Sequence, residues 1–187
     1  MGIVEGGAAC ARPAAGRGPA HLFPNARQLV DDRATRADVL DVLPRSHVFH
    51  FACHAGQDLV NPSQGHLRLH DGALDVLEIA RLRLDTAELA YLSACQTATG
   101  GVTLADEAVH LASAFQLAGY RQVIGTLWPI QDAVAADIAK DVYTQLRRDG
   151  GVATARAAAA LHRAVQRARA AHPREPHLWA SHIHLGP

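Results

Sequence analysis

The feature that most restricts the fold of this chain is a series of three short apolar segments with the composition of buried strands. They lie at residues 47–53 (HVFHFAC), 87–95 (AELAYLSAC) and 121–128 (RQVIGTLW). Helical patterns follow the second and third segments, at residues 103–119 and 132–147. Strands that alternate with loops and helices are typical of a parallel sheet covered by helices. The sequence therefore predicts an α/β fold.

The chain is expected to form one domain behind an N-terminal arm. Glycine, alanine and proline dominate its first residues without periodicity, so we expect residues 1–22 to be a disordered or loosely packed arm. Residues 23–187 are expected to form a single domain, because no internal repeat or linker divides them.

Other local patterns predict the elements between and around these strands. A helix at residues 35–43 is expected to begin at a Thr35 cap and to end at Pro44. The alternation around Asp71-Gly72 predicts a β-hairpin, which we interpret as a surface flap. Residues 177–185 (HLWASHIHL) alternate and are predicted to form the last strand.

Charge and cysteine content exclude several classes of protein. The 18 basic residues balance the 18 acidic residues, so no net field attracts the chain to nucleic acid or to an anionic membrane. No apolar run approaches the ~20 residues needed to span a bilayer. The three cysteines lack the paired spacing of a zinc site or a disulfide framework. We expect a soluble, cytoplasmic protein with reduced thiols, and neither a nucleic-acid nor a membrane partner.

Two of the predicted strands end in side chains capable of covalent chemistry. His54 follows the first strand and Cys95 ends the second, and the carboxyl ends of neighbouring parallel strands meet at one edge of a sheet. A histidine lowers the pKa of a nearby thiol and can protonate a leaving amine. The pair is a candidate base and nucleophile, but a buried structural cysteine explains this local pattern equally well.

A metal site is a weaker interpretation of the histidine-rich first strand. His47, His50 and His54 would lie along a strand, whereas paired zinc-binding histidines commonly group on one face of a helix. We therefore expect no metal and no other cofactor.

A longer series of motifs resembles the CHAT domain, a caspase-like and separase-like peptidase family often joined to tetratricopeptide repeats. The motifs are, in order, HFACH at 50–54, LSACQTA at 92–98, DE at 106–107, AF at 114–115 with AG at 118–119, LW at 127–128 with Asp132, and LWA at 178–180 followed by LG at 185–186. The resemblance implies a caspase-like, mostly parallel sheet flanked by helices. It also implies that His54 is the catalytic histidine and Cys95 the nucleophile.

The chain departs from this family at two points. Ala55 stands where members usually have a glycine whose backbone N–H helps to form the oxyanion hole. An alanine offers the same N–H, so Ala55 and Cys95 are the expected backbone donors. Members also carry a longer segment ahead of the 35–43 helix, which includes the first strands of the sheet. We therefore expect the N-terminal strands to be missing and one edge of the 47–53 strand to be open.

The leading hypothesis is a CHAT-type cysteine endopeptidase that cleaves a protein substrate. Asp58, Asp106 and Asp132 are candidates for a substrate pocket, although Asp106 also suits the first turn of a helix, where an acidic residue stabilises the helix. The open strand edge is expected to pair with a regulatory domain or a partner chain. The alternative hypothesis is a non-catalytic protein-interaction module, or a truncated and inactive peptidase domain.

Overall fold

The structure, a computed structural model, is built on a central sheet of six strands. It describes residues 2–5, 22–23, 26–52, 55–56, 65–93, 104–128, 130–149 and 151–187, with the backbone alone for 2–5, 55–56 and 104–110. The strands are β1 (Gly2–Glu5), β2 (Arg27–Val30), β3 (Val48–Ala52), β4 (Ala55–Gly56), β5 (His66–Leu69), β6 (Gly72–Asp75), β7 (Leu89–Leu92), β8 (Gln122–Thr126), β9 (Arg147–Arg148), β10 (Gly151–Val152) and β11 (His182–Leu185). The helices are α1 (Arg36–Val42), α2 (Val76–Ala80), α3 (Leu104–Ala118), α4 (Asp132–Leu146), α5 (Ala157–Ala171) and α6 (Pro176–Trp179). Within these described ranges, no helix combines the length and the apolar character that crossing a membrane requires.

The central sheet is parallel except at one edge. Its strand order is β11-β8-β7-β3-β1-β2. The pairs β1–β2, β1–β3, β3–β7 and β7–β8 are parallel, and β11 pairs antiparallel with β8. Helices pack on the sheet through two hydrophobic cores. The predicted α/β class, with a mostly parallel sheet flanked by helices, is confirmed, and the arrangement agrees with a caspase-like fold.

The N-terminal residues contribute to the sheet, which corrects the expectation of an open edge. β1 lies between β3 and β2, with Gly2 opposite both Phe49 and Arg27. Residues 2–5 thus form a strand where a loose arm was expected, because the backbone groups along β3 need partners and Ile3 and Val4 are β-branched. Apart from Leu22, the rest of the expected arm lies outside the described residues.

Side chains of the central strands alternate between two buried cores. Phe49 and Phe51 of β3 lie in the core that includes α3, where the Phe51 ring is 5.4 Å from that of Phe115. Val48 of β3 lies in the other core, together with buried residues of α4 and α5. We call these two sides of the sheet the α3 face and the α4/α5 face. Because successive side chains of a strand point to opposite faces, β3 contributes to both cores and is covered on both sides.

The ends of two predicted helices are confirmed. α1 begins after Thr35, whose Oγ1 accepts a hydrogen bond from the Asp38 N–H at 3.1 Å. α3 ends before Gly119, which has a φ of +128°, a conformation that favours glycine at the end of a helix.

We expect Gly119→Ala to lower the free energy of unfolding by about 2 kcal/mol or more. A Cβ at Gly119 would lie 2.5 Å from the carbonyl oxygen of Leu84, a backbone atom that cannot rotate away. Gly151→Ala is the matched control, because no described atom lies within 4 Å of a Cβ at that position. Urea unfolding measures both variants, and equal midpoints for the two would contradict the prediction.

The predicted hairpin and the last strand are confirmed in part. β5 and β6 form a hairpin that turns at Asp71-Gly72, but Leu67, Leu69 and Leu74 are buried in the core, so the hairpin is not a surface flap. The predicted 177–185 strand is shorter than expected. α6 occupies its start because Pro176 favours the first turn of a helix, and β11 forms the remainder.

Candidate functional site

The candidate site is the rim formed by the carboxyl ends of β3, β7 and β8. These strands are adjacent and parallel, so their last residues, Ala52, Leu92 and Thr126, lie at the same end of the sheet. The chain passes from β7 to α3 and from β8 to α4 at this end. In open α/β sheets this end carries binding and catalytic groups, because rigid strands hold loops that are free to vary.

The register of β3 and β7 fixes how the two strand ends meet. The first four residues of β3 each lie opposite the residue 41 positions further along the chain, from Val48 opposite Leu89 to Phe51 opposite Leu92. The pairing continues at the rim, where the Ser93 N–H donates to the Phe51 carbonyl oxygen at 2.8 Å. The prediction that these two strands are parallel neighbours is confirmed.

The predicted catalytic residues lie just beyond the described parts of these strands. The structure describes β3 as far as Ala52 and the chain after β7 as far as Ser93. His54 and Cys95 each follow two positions later and lie outside the described residues, as does Asp58. The contact between the His54 ring and the Cys95 sulfur therefore stays a prediction.

Ala55 is the first residue of β4, beyond the end of β3. β4 pairs antiparallel with β5, and Ala55 lies opposite Leu67. A strand backbone is extended, a conformation that any L-residue adopts without strain. Alanine in place of the expected glycine is therefore compatible with the local backbone, and the oxyanion role of Ala55 stays a prediction.

Asp106 and Asp132 lie in the first turns of the two helices that follow the rim. Asp106 is the third residue of α3, described by its backbone alone, and Asp132 is the first residue of α4, with an exposed side chain. An acidic residue in a first turn stabilises the positive end of the helix dipole. The topology brings both residues to the rim end of the sheet, where the stabilising role and the substrate role are compatible.

Below the rim, four aromatic side chains form a group that we call the aromatic cluster, of which three are buried and the fourth, His182, is partly buried. His50 of β3 stacks on Tyr91 of β7, with ring centroids 4.9 Å apart. The Nδ1 atom of His50 is in hydrogen-bond contact with the Tyr143 hydroxyl of α4 at 3.2 Å. His182 of β11 meets Tyr91 edge-on at 6.3 Å. The cluster connects three strands of the sheet to α4.

Burial keeps the aromatic cluster uncharged at neutral pH. It lowers the pKa of His50 from 6.5 to about 3 and that of His182 to about 4. It also raises the pKa of Tyr91 and of Tyr143 above the usual value of 10. The Tyr91 hydroxyl and His182 Nε2 are buried without a hydrogen-bond partner among the described residues. None of these groups gains or loses a proton near pH 7, so none is suited to acid–base catalysis. Their role is structural.

Sequence patterns alone did not single out the aromatic cluster. His50 belongs to a run of histidines along one strand, and its hydrogen-bond partner Tyr143 is 93 positions away in the chain. One signal was nevertheless available, because His50 precedes His54 by the same four positions that separate Tyr91 from Cys95.

Away from the rim, we considered a metal site and a surface groove in the described part of the chain. It contains no group of three His, Cys, Asp or Glu residues placed to hold a metal ion. A groove of about 180 Å³ lies between α4 and α5, lined in part by Asp137, Asp141, Arg167 and His172. Arg167 forms an ion pair with Asp141 at 3.3 Å, so acidic and basic groups of the groove partly neutralise each other.

Comparison with known families covers nearly the whole chain. The model of the CHAT domain family matches residues 14–187. This range begins ahead of β2 and reaches the last residue, so it includes the rim and the aromatic cluster. No curated protein matches the chain.

Proposed function

Because the chain belongs to the CHAT domain family, we propose that it is a caspase-like cysteine endopeptidase domain that cleaves a protein substrate. In this proposal Cys95 is the nucleophile and His54 is its base. The observation that carries the proposal is the register of β3 and β7.

The register supports the pairing of these two residues. Along both strands, residues 41 positions apart lie opposite each other, and His54 and Cys95 are also separated by 41 positions. Neighbouring strands lie about 5 Å apart. If the same register extends beyond the described strand ends, the two residues reach the rim side by side, and the ring and the sulfur approach to about 3 to 6 Å.

The proposed mechanism needs only these two side chains and backbone donors. His54 takes the proton of the Cys95 thiol, and the thiolate attacks the carbonyl carbon of the scissile peptide bond. The N–H groups of Ala55 and Cys95 donate to the oxygen that becomes negative. His54 then protonates the leaving amine as the C–N bond breaks, which leaves a thioester on Cys95. A water molecule deprotonated by His54 hydrolyses the thioester and restores the thiol.

The acidic residues after the rim strands suggest a preference for a basic substrate side chain. Asp106 and Asp132 begin the two helices at the rim, and Asp58 follows His54 closely in the sequence. A carboxylate forms strong, charge-assisted hydrogen bonds with arginine or lysine. We therefore propose these three residues as the substrate pocket.

The proposal includes a reducing compartment and a regulatory partner. A thiol nucleophile must stay reduced, which suits the cytoplasm.

The edge of β3 is not open to a partner strand, because β1 pairs with it. The outermost strand on that side of the central sheet is β2. A regulatory domain or partner chain that adds a strand to this sheet would therefore pair with one of its two outer strands, β2 or β11, and not with β3.

A peptidyl electrophile that alkylates thiols tests the catalytic pair. We expect it to modify Cys95, and we expect His54→Ala to slow this modification at least about 100-fold, because the base that generates the thiolate is lost. Electrophiles with arginine at the position before the reactive group are expected to react faster than those with glutamate. Mass spectrometry after proteolysis identifies the modified cysteine.

Cys53→Ser is the control variant, since Cys53 neighbours His54 but is assigned no catalytic role. It is expected to be modified at Cys95 as fast as the wild type. Equal modification rates in the wild type and in His54→Ala, or faster modification of Cys53 than of Cys95, would favour the non-catalytic interaction module instead.

A further inference from the structure

We propose that His50 and Tyr143 are positioning residues for the catalytic pair. Their contact fixes the position of the end of β3 relative to α4, and this position lets His54 reach Cys95. This inference rests on the proposed function and gives a role to His50, the first residue of the HFACH motif, and to Tyr143, which lies in none of the motifs; the proposed mechanism uses neither residue. It concerns the aromatic cluster on the α4/α5 face.

The stacked pair of the cluster lies on the same two strands as the proposed catalytic pair. His50 is opposite Tyr91, and their rings stack with an angle of 26° between the planes. His54 and Cys95 each follow four positions later. Both strands lead directly to the catalytic residues, since β3 ends at Ala52 and β7 at Leu92. The stack therefore fixes the last part of the two strands from which the chain continues to the catalytic pair.

Tyr143 fixes this stack against a third element. Its hydroxyl contacts His50 Nδ1 at 3.2 Å, and its ring centroid lies 5.7 Å from each of the other two. His50, Tyr91 and Tyr143 are at most 1% exposed. Phe23 packs edge-on against Tyr143 at 5.6 Å. The His50 ring is therefore held on one side by a strand neighbour and on another by α4.

The chemistry of the contact argues for positioning rather than for packing alone. An apolar side chain would fill the same space without the penalty of removing an imidazole and a hydroxyl from water. A hydrogen bond adds direction, which close packing of hydrocarbon does not. The buried contact therefore specifies one orientation of the His50 ring and, through it, one placement of β3 against α4.

The test is the pH dependence of Cys95 alkylation by iodoacetamide, with each cysteine resolved by mass spectrometry. In the wild type we expect a thiol pKa below the ordinary value of about 8.5. Tyr143→Phe keeps the ring and removes the hydroxyl. We expect it to raise the Cys95 pKa and to slow alkylation near pH 7 by about threefold or more, since thiolate fraction falls tenfold per unit of pKa.

Tyr120→Phe is the matched control. Tyr120 is also buried, but it lies in the core of the α3 face and its hydroxyl has no partner among the described residues. This variant is expected to keep the wild-type pH profile. His50→Phe, which also keeps a ring, is a second test variant, and circular dichroism shows that each variant is folded.

The outcomes separate the inference from the proposed function. If His54→Ala raises the Cys95 pKa while folded Tyr143→Phe and His50→Phe leave it unchanged, the positioning role is overturned and the catalytic pair stands. If His54→Ala leaves the pKa unchanged, the catalytic pair is overturned and the positioning role with it. Equal shifts in Tyr143→Phe and Tyr120→Phe would show a general packing effect and would also overturn the inference.

Discussion

Lowering the pH from 7 to 5 is expected to reduce the free energy of unfolding by about 4 kcal/mol, because the buried His50 and the partly buried His182 stay neutral in the folded chain. Burial holds the pKa of His50 at about 3 and that of His182 at about 4. The ring contacts of His50 are Tyr91 and Tyr143, and His182 contacts Tyr91 and the Ser181 hydroxyl. None of these neighbours carries a negative charge at these pH values, so none stabilises an imidazolium.

The direction follows from which state binds protons. In the unfolded chain both histidines have a pKa near 6.5 and become protonated below it. In the folded chain they stay neutral down to about pH 4, so the unfolded state gains protons that the folded state does not bind. Stability is therefore full above pH 6.5 and falls as the pH decreases towards 4, by about 2 kcal/mol for each histidine at pH 5.

Urea unfolding at a series of pH values measures this loss. His182→Asn is the control variant, because an asparagine does not titrate. It is expected to lose about 2 kcal/mol less than the wild type between pH 7 and 5. A wild-type stability that stays level over this range would contradict the prediction for both histidines, and the same slope in the variant would show that His182 does not contribute to the effect.

Phe51→Ala is expected to lower the free energy of unfolding by about 4 kcal/mol, a large part of the total for one domain. Phe51 has no exposed surface. Its ring packs 4.5 Å from that of Phe49 and 5.4 Å from that of Phe115 in α3. Removal of the ring leaves a cavity between the central sheet and α3, which the surrounding side chains fill only in part.

Leu117→Ala is the comparison for this substitution. Leu117 lies in the same helix as Phe115 but is 68% exposed, so its truncation is expected to change stability by no more than about 0.5 kcal/mol. Denaturant unfolding of both variants gives the two values. A change of less than about 1 kcal/mol in Phe51→Ala would mean that the core tolerates the loss, contrary to the expected cavity.

Half of the first effect and all of the second fall on neighbouring residues of β3. His50 lies on the α4/α5 face of β3 and Phe51 on the α3 face. β3 therefore depends on packing from both sides, and its carboxyl end leads to His54. Changes that loosen either face are expected to disturb the rim before they disturb the outer strands of the sheet.

Local sequence patterns determined the elements that depend on near neighbours in the chain. The Thr35 cap, the Asp71-Gly72 turn and the end of α3 at Gly119 follow from backbone preferences of single residues. The strands β3, β7 and β8 follow from short apolar runs. Strand, loop and helix in succession also determined that β7 and β8 run parallel, because a helical connection returns the chain to the same end of the sheet.

Only the tertiary structure decided the features that join distant parts of the chain. β1 forms because the backbone groups along one edge of β3 need hydrogen-bond partners, which residues 2–5 provide. The composition of residues 2–5 does not predict this pairing. His50 meets Tyr143 only when α4 packs on the sheet, 93 positions later. The 41-residue register of β3 and β7 likewise came from the fold. Such contacts depend on which apolar surfaces and unpaired backbone groups remain exposed after the local helices and strands have formed. A local sequence pattern does not contain that information.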